Sequence, residues 1–117
     1  MTPKGNTDEL VLAYQCLADK LPPFEQEYRF HADRKYRLDL AFVPQKVGVE
    51  IEGGLWAAGA HSRPIGILRD MHKANLLVLS GWRVLRYTPQ QVRKGEALEG
   101  IKQLLGIILV RHRGETC

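Results

Sequence analysis

The chain is expected to form an α/β fold, a mixed sheet flanked by helices in the order α-β-β-β-α-β-α. Three observations support this. Apolar residues recur at helical spacing over roughly residues 7–20, 65–80 and 96–110. Four short stretches rich in β-branched and aromatic residues, EYRFH, RLDLAFV, KVGVEIE and WRVLRY, read as strands. A helix-length segment separates the third and fourth strands, as the crossover of a right-handed parallel unit would.

The first helix, about Thr7 to Lys20, puts Leu10, Val11, Tyr14, Leu17, Ala18 and Leu21 on one stripe. Thr7 is a suitable N-cap, and Pro22-Pro23 stops the segment. In RLDLAFV, Leu38, Leu40 and Phe42 form an apolar face, leaving Arg37, Asp39 and Ala41 opposite. Pro44-Gln45 suits the centre of a type I turn, so this strand and KVGVEIE form an antiparallel hairpin. A loop from Gly53 to Pro64 leads into a helix over Ile65 to Ser80, lined by Ile67, Met71, Ala74, Leu77 and Val78 and ended by Gly81. Trp82 to Tyr87 is the fourth strand. Thr88-Pro89 opens a helix with a capping hydroxyl and a proline at its first position, and the C-terminal helix covers Glu96 to Val110.

At 117 residues the chain is expected to be one domain. Its 44% hydrophobic and 26% charged residues suit a globular protein in water. The longest apolar run, LLGIILV, is too short to span a bilayer, and the N-terminus lacks a basic-then-apolar leader, so a cytoplasmic location is expected. Cys16 and Cys117 fit no zinc spacing, and a disulfide is not expected in a reducing compartment. The net charge of +4 is mildly basic. Two clusters, RKYR (Arg34 to Arg37) and RHR (Arg111 to Arg113), are either solvated surface or the footprint of a nucleic acid.

The chemistry concentrates in VGVEIEGG, Val47 to Gly54. Val47, Val49 and Ile51 share one face; Gly48, Glu50 and Glu52 share the other. If Val43 lies across from Lys46, paired positions sum to 89, which sets Asp39 opposite Glu50 and Arg37 opposite Glu52. Carboxylates ~5 Å apart repel by roughly 3 kcal/mol at an effective dielectric near 20. Either an ion-pair network with Arg37 and a lysine or a hard divalent cation offsets such repulsion. Gly53-Gly54 removes side chains where the strand leaves the sheet, so a phosphate backbone can come close. Arg69 and Lys73, four apart on the next helix, repel unless an anion lies near them.

These residues resemble the PD-(D/E)xK nuclease superfamily: Asp39, then Glu50-Ile51-Glu52 on the next strand, looks like its acidic motif. More narrowly, EYRFHADRKYRLDLAF, VGVEIEGGLW, GAHSR, RDMHKAN and GWRVLRYTPQQV resemble the small endonuclease domains of the DUF559 and very-short-patch-repair neighbourhood, whose arrangement RecU-type phage Holliday junction resolvases share. The resemblance spans about residues 8 to 95. It implies a restriction-endonuclease-like core and a phosphodiester hydrolase of DNA recombination or repair. Asp39, Glu50, Glu52 and the carbonyl of Ile51 would hold Mg²⁺ or Mn²⁺, which activates water and stabilises charge on the scissile phosphate. The superfamily usually has lysine where this chain has Glu52; Lys73 is the natural substitute, and an inactive DNA-binding module is the alternative.

Glu27 is a candidate fourth metal-shell carboxylate, or a surface partner of Arg29. Glu9 either matches an acidic residue that some resolvases carry or simply favours the helix dipole, the cheaper reading. Arg34, Lys35, Arg37, His61, Arg63 and Arg69 are candidates to hold the DNA backbone, and Trp56 either stacks on a base or anchors its loop. LLGIILV is too apolar for a helix with one wet side, which suggests a homodimer. A two-fold dimer offers two sites to symmetry-related strands, as a four-way junction requires. A monomeric nicking endonuclease acting at mismatches or restriction sites is the rival.

Overall fold

The computed structural model describes residues 2–53 and 64–112, with side chains of the last helix described as far as Gly106. The chain is α/β. Helix α1 (Thr7–Ala18) precedes strands β1 (Glu25–Arg29), β2 (Arg37–Phe42) and β3 (Val47–Ile51); α2 (Pro64–Leu79), β4 (Arg83–Tyr87), α3 (Pro89–Arg93) and α4 (Glu96–His112) follow. The sheet order is β1-β2-β3-β4, antiparallel twice and then parallel across the α2 crossover. The sheet is therefore mixed, as expected.

The hairpin register also matches. Leu40, Ala41 and Phe42 pair with Val49, Gly48 and Val47, a sum of 89 in each case. The turn is closed by Lys46 N–H donating to Val43 O at 3.1 Å, with Lys46 itself in the left-handed region at φ 54°. A side chain at Gly48 would strike Leu38, its Cβ lying 2.6 Å from Cδ1, so glycine is what lets that leucine cross the strand.

One apolar cluster joins α1, α3 and α4 to the sheet through Leu12, Cys16, Leu40, Phe42, Val49 and Ile101. The other sits under α2 and contains Leu38, Ala41, Leu77 and Trp82. Leu38 and Leu40 thus belong to different clusters, which corrects the expectation of one face for Leu38, Leu40 and Phe42. The break coincides with Glu27, a non-glycine residue at φ 50° between the paired positions Gln26↔Leu40 and Tyr28↔Leu38. A left-handed residue in mid-strand turns the chain over, so alternation slips on both strands there.

Three further expectations are corrected. First, α1 buries Glu9, Leu12, Ala13 and Cys16, while Tyr14 and Leu17 are exposed. Small Ala13 and Cys16 let the helix lie close to the sheet, a fit that the larger stripe would prevent. Its N-cap is Asn6 rather than Thr7, and its end is a Schellman motif: Lys20, at φ 55°, donates to Leu17 O and Leu21 donates to Cys16 O. The helix ends before the prolines. Second, β1 begins two residues earlier than EYRFH, at Glu25. Third, Ile67, Met71 and Val78 of α2 are exposed, and only Leu77 is buried. The inward stripe of α2 runs through Lys73, Ala74 and Leu77, and Val78, the residue after Leu77, lies about 100° round the helix on the outer side.

Thr88 caps α3 in a reciprocal capping box with Gln91, and Pro89 stands in its first turn. Gly95, at φ 85°, separates α3 from α4. Within α4, Ile101 and Leu105 are buried, and Leu98 and Leu104 pack against the same core. The side chains of Ile107, Ile108, Leu109 and Val110 lie outside the described residues, as do Gly54, Trp56, His61, Arg63, Arg113 and Cys117. No described helix is long and apolar enough to cross a membrane.

Candidate active site

The β3 strand delivers Glu50 at the sheet's C-terminal edge because valines at 47 and 49 bind its other face to the α1 side of the core. There an open pocket of about 460 Å³ is lined by Arg37, Asp39, Glu50, Ile51, Glu52, Asp70, Lys73 and Arg86. Of the predicted acidic residues, Asp39, Glu50 and Glu52 therefore meet here with Lys73, while Glu27 does not line this pocket. Asp70 and Arg86 were not singled out by sequence. Arg86 had a readable signal: it shares the parity of Val84 in a strand parallel to β3, which sets it beside Glu50.

Glu50 is buried, with only 7% of its surface exposed, and two cations hold it. Lys73 Nζ contacts Oε1, which has no other hydrogen-bond donor among the described residues. Arg86 Nε stands 3.3 Å from Oε2 and 3.9 Å from Glu52 Oε1. Burying a carboxylate costs free energy that such partners offset. Arg37 lines the pocket, but the ion pairs of Glu50 are made by Lys73 and Arg86, not by Arg37.

Asp39 is half-buried and fixed from the neighbouring strand: Ile51 N–H donates to its Oδ2 at 2.7 Å. The carbonyl of Ile51, a predicted ligand, accepts the Gly53 N–H at 3.2 Å and keeps a second lone pair. Burial pushes the Asp39 carboxyl above the usual range, as do Glu27 and Glu50, while the Ile51 N–H opposes the shift.

Asp39 also belongs to a second cluster. One carboxylate oxygen each from Glu9, Glu27 and Asp39 lie within 4.8 Å of one another. Glu9 is 3% exposed and accepts a 2.8 Å hydrogen bond from Gln26 Nε2. Burial, then the charges of Glu27 and Asp39, push its carboxyl up to about 7. Glu9 does stand in the first turn of α1, as the helix-dipole reading has it, and it is in addition buried beside Glu27 and Asp39. The rotation of α1 that buries Ala13 and Cys16 also brings Glu9 inward. Glu27 reaches this cluster from its left-handed position; its partner there is the carboxylate pair, not Arg29, whose guanidinium donates to Arg34 O.

Of the remaining candidates, Arg34 and Lys35 are exposed on the β1–β2 loop, and Arg69 is exposed on α2, away from the pocket lining. Tyr36 on that loop contacts His72 of α2, its hydroxyl 2.9 Å from Nδ1. The loop carrying Arg34 and Lys35 is thereby tied to the helix carrying Lys73.

Compared with known proteins, the chain matches no family model, no curated protein and no solved structure. Its chemistry rests on its own residues. Ligands ~2.3–2.6 Å from one ion lie no more than about 5 Å apart, a limit the oxygens of Glu9, Glu27 and Asp39 meet. Carboxylate oxygen is also the donor type that hard divalent cations take. These residues could hold one, with Asp39 as the link to Glu50.

Proposed function

We propose that the protein is a divalent-metal-dependent DNA endonuclease that cuts four-way junctions as a homodimer. The observation that carries the chemistry is the gathering of Asp39, Glu50 and Lys73 around one open pocket, with Asp39 shared with the Glu9–Glu27 carboxylates. Such a set has a use when a cation and a phosphate enter together. The junction and the dimer rest on the resemblance of the sequence to resolvases.

A bound Mg²⁺ or Mn²⁺ supplies Lewis-acid activation of water and of the scissile phosphate. Asp39, held by the Ile51 N–H, presents a carboxylate in a fixed orientation, with Glu9 and Glu27 beside it. Glu50 holds the Lys73 ammonium at the pocket wall, where it donates hydrogen bonds and offsets charge developing on the phosphate. Arg37 lines the same pocket, and Arg34 and Lys35 extend the basic surface along the β1–β2 loop, contacts that grip a backbone without reading sequence.

One observation favours a second reading, a monomeric nicking endonuclease. The described apolar residues of α4, Leu98, Ile101, Leu104 and Leu105, pack within their own subunit, so this part of the helix requires no partner.

The test is cleavage of four-way, mismatched and linear DNA in EDTA, Mg²⁺ and Mn²⁺, with sedimentation of the same preparation. Metal-dependent paired cuts on the junction, lost in Asp39→Asn, are expected from a species of twice 13.3 kDa. Full cleavage by Asp39→Asn removes the site assignment. A cleaving monomer that only nicks selects the second reading.

A further inference from the structure

We infer that Arg86 is an internal counter-cation, holding Glu50 and Glu52 in the metal-free protein and giving them up to a divalent ion. This rests on reading the pocket as a metal-dependent phosphodiester site. It concerns a residue on a different strand from the acidic motif, and it gives that residue a regulatory role.

The ladder makes the contact. Glu50 and Arg86 are register partners in the parallel β3–β4 pair, so their side chains leave neighbouring strands on the same side. Arg86 Nε spans both glutamates, 3.3 Å from Glu50 Oε2 and 3.9 Å from Glu52 Oε1, while Lys73 takes Oε1. The two cations differ in freedom. The Lys73 side chain, reaching from α2 to Glu50, is 20% exposed, whereas that of Arg86 is 44% exposed at the pocket wall. Solvent screens an arginine so exposed, and water can replace its contacts at little cost. The guanidinium is thus the cation that can leave.

Its position conflicts with a metal. A divalent ion using Glu50 Oε2 or Glu52 would sit within a few ångströms of this positive charge unless the guanidinium moved away, and either the repulsion or the displacement opposes binding. Arg86 therefore weakens metal binding when DNA is absent. With Glu50 and Glu52 engaged in holding a cation, the Arg86 guanidinium would be free at the mouth of the pocket, where a phosphate oxygen would be its natural acceptor. Metal and DNA then favour each other through one side chain, and the coupling is reciprocal.

Three measurements test this. Mn²⁺ binding without DNA, followed by the loss of the free-ion electron paramagnetic resonance signal, should tighten about tenfold in Arg86→Gln and stay near wild type in Arg86→Lys, which keeps the charge. DNA affinity in EDTA should be almost unchanged in Arg86→Gln, because the guanidinium is engaged by carboxylates in that state. An ordinary phosphate-binding arginine would instead give weaker metal-free DNA binding and a salt slope shallower by about one. In the wild type, which needs no substitution, the Arg86 Nε–H nuclear magnetic resonance signal should be protected from exchange in EDTA and lose protection when saturating Mg²⁺ is added without DNA. Equal or weaker Mn²⁺ binding by Arg86→Gln, or unchanged Nε–H protection, overturns the inference and leaves the endonuclease reading standing. Absence of any Mn²⁺ binding that Asp39→Asn abolishes would end the endonuclease reading, and this inference with it.

Discussion

The backbone N–H of Ile51 donates a 2.7 Å hydrogen bond to Oδ2 of Asp39, so the end of β3 fixes a side chain of β2 beside Glu50. The carboxylate is both anchored and crowded by like charge. Asp39→Asn can keep the acceptor while removing the repulsion from Glu9, Glu27 and Glu50. In EDTA it should match or exceed the parent in stability by about 1 kcal/mol, while cleavage is lost. Asp39→Ala removes the acceptor as well and should fall below Asp39→Asn. Urea unfolding of the three proteins checks the order, and Asp39→Asn below Asp39→Ala would refute it.

Lys73→Ala should lower the cleavage rate at saturating DNA by orders of magnitude, with a small loss of affinity. It should also destabilise the metal-free protein by about 1–3 kcal/mol, because among the described residues buried Glu50 then keeps Arg86 alone as a cation partner. A near-normal rate with weakened binding would instead make Lys73 a plain phosphate contact.

The Glu9 carboxyl gives the protein a pH signature. Its value in the folded state is raised from 4.5 to about 7, so between those limits the folded chain binds a proton that the unfolded chain has released. Stability from this group is full below about pH 4.5 and is lost as pH rises through about 7, to the extent of roughly 3 kcal/mol. Metal-free melting temperatures should therefore decline across that window. Glu9→Gln should flatten the decline, and Mn²⁺ should raise stability most at the alkaline end, where the carboxylate is ionised. A Glu9→Gln protein with the parent's pH profile would show that another group titrates.

At Glu27 the backbone and the carboxylate can be separated. Its φ of 50° favours glycine, so Glu27→Gly should be more stable than Glu27→Ala by about 1 kcal/mol in EDTA. Both lack the carboxylate, and both should show weaker stabilisation by Mn²⁺ than the parent. Equal stability of the two would mean that the strand relaxes once the glutamate is gone.

Features under local geometric control could be read from the order of residues. Alternation in Val47–Ile51 assigned Glu50 to the face opposite the valines, and the turn at Pro44-Gln45 set a register that carries Asp39 to Glu50. The capping residues Thr88 and Pro89 marked the start of α3 correctly, because a cap is read by neighbours within one turn. Other features depended on how the segments pack. Two stripes competed on α1, and the choice of Leu12, Ala13 and Cys16 over Leu10, Tyr14 and Leu17 depended on how closely the helix could approach the sheet. That rotation brought Glu9 to Asp39. The left-handed Glu27 broke the period-2 rule on which the β2 face was read, and no residue type announces such a turn when glutamate occupies it. The side of Arg86 was readable from its strand parity, but its pairing with Glu50 needed the register between β3 and β4, which packing sets. Spacing along one chain segment fixes faces and turns; which faces meet depends on distances between segments, and those are set when the core packs.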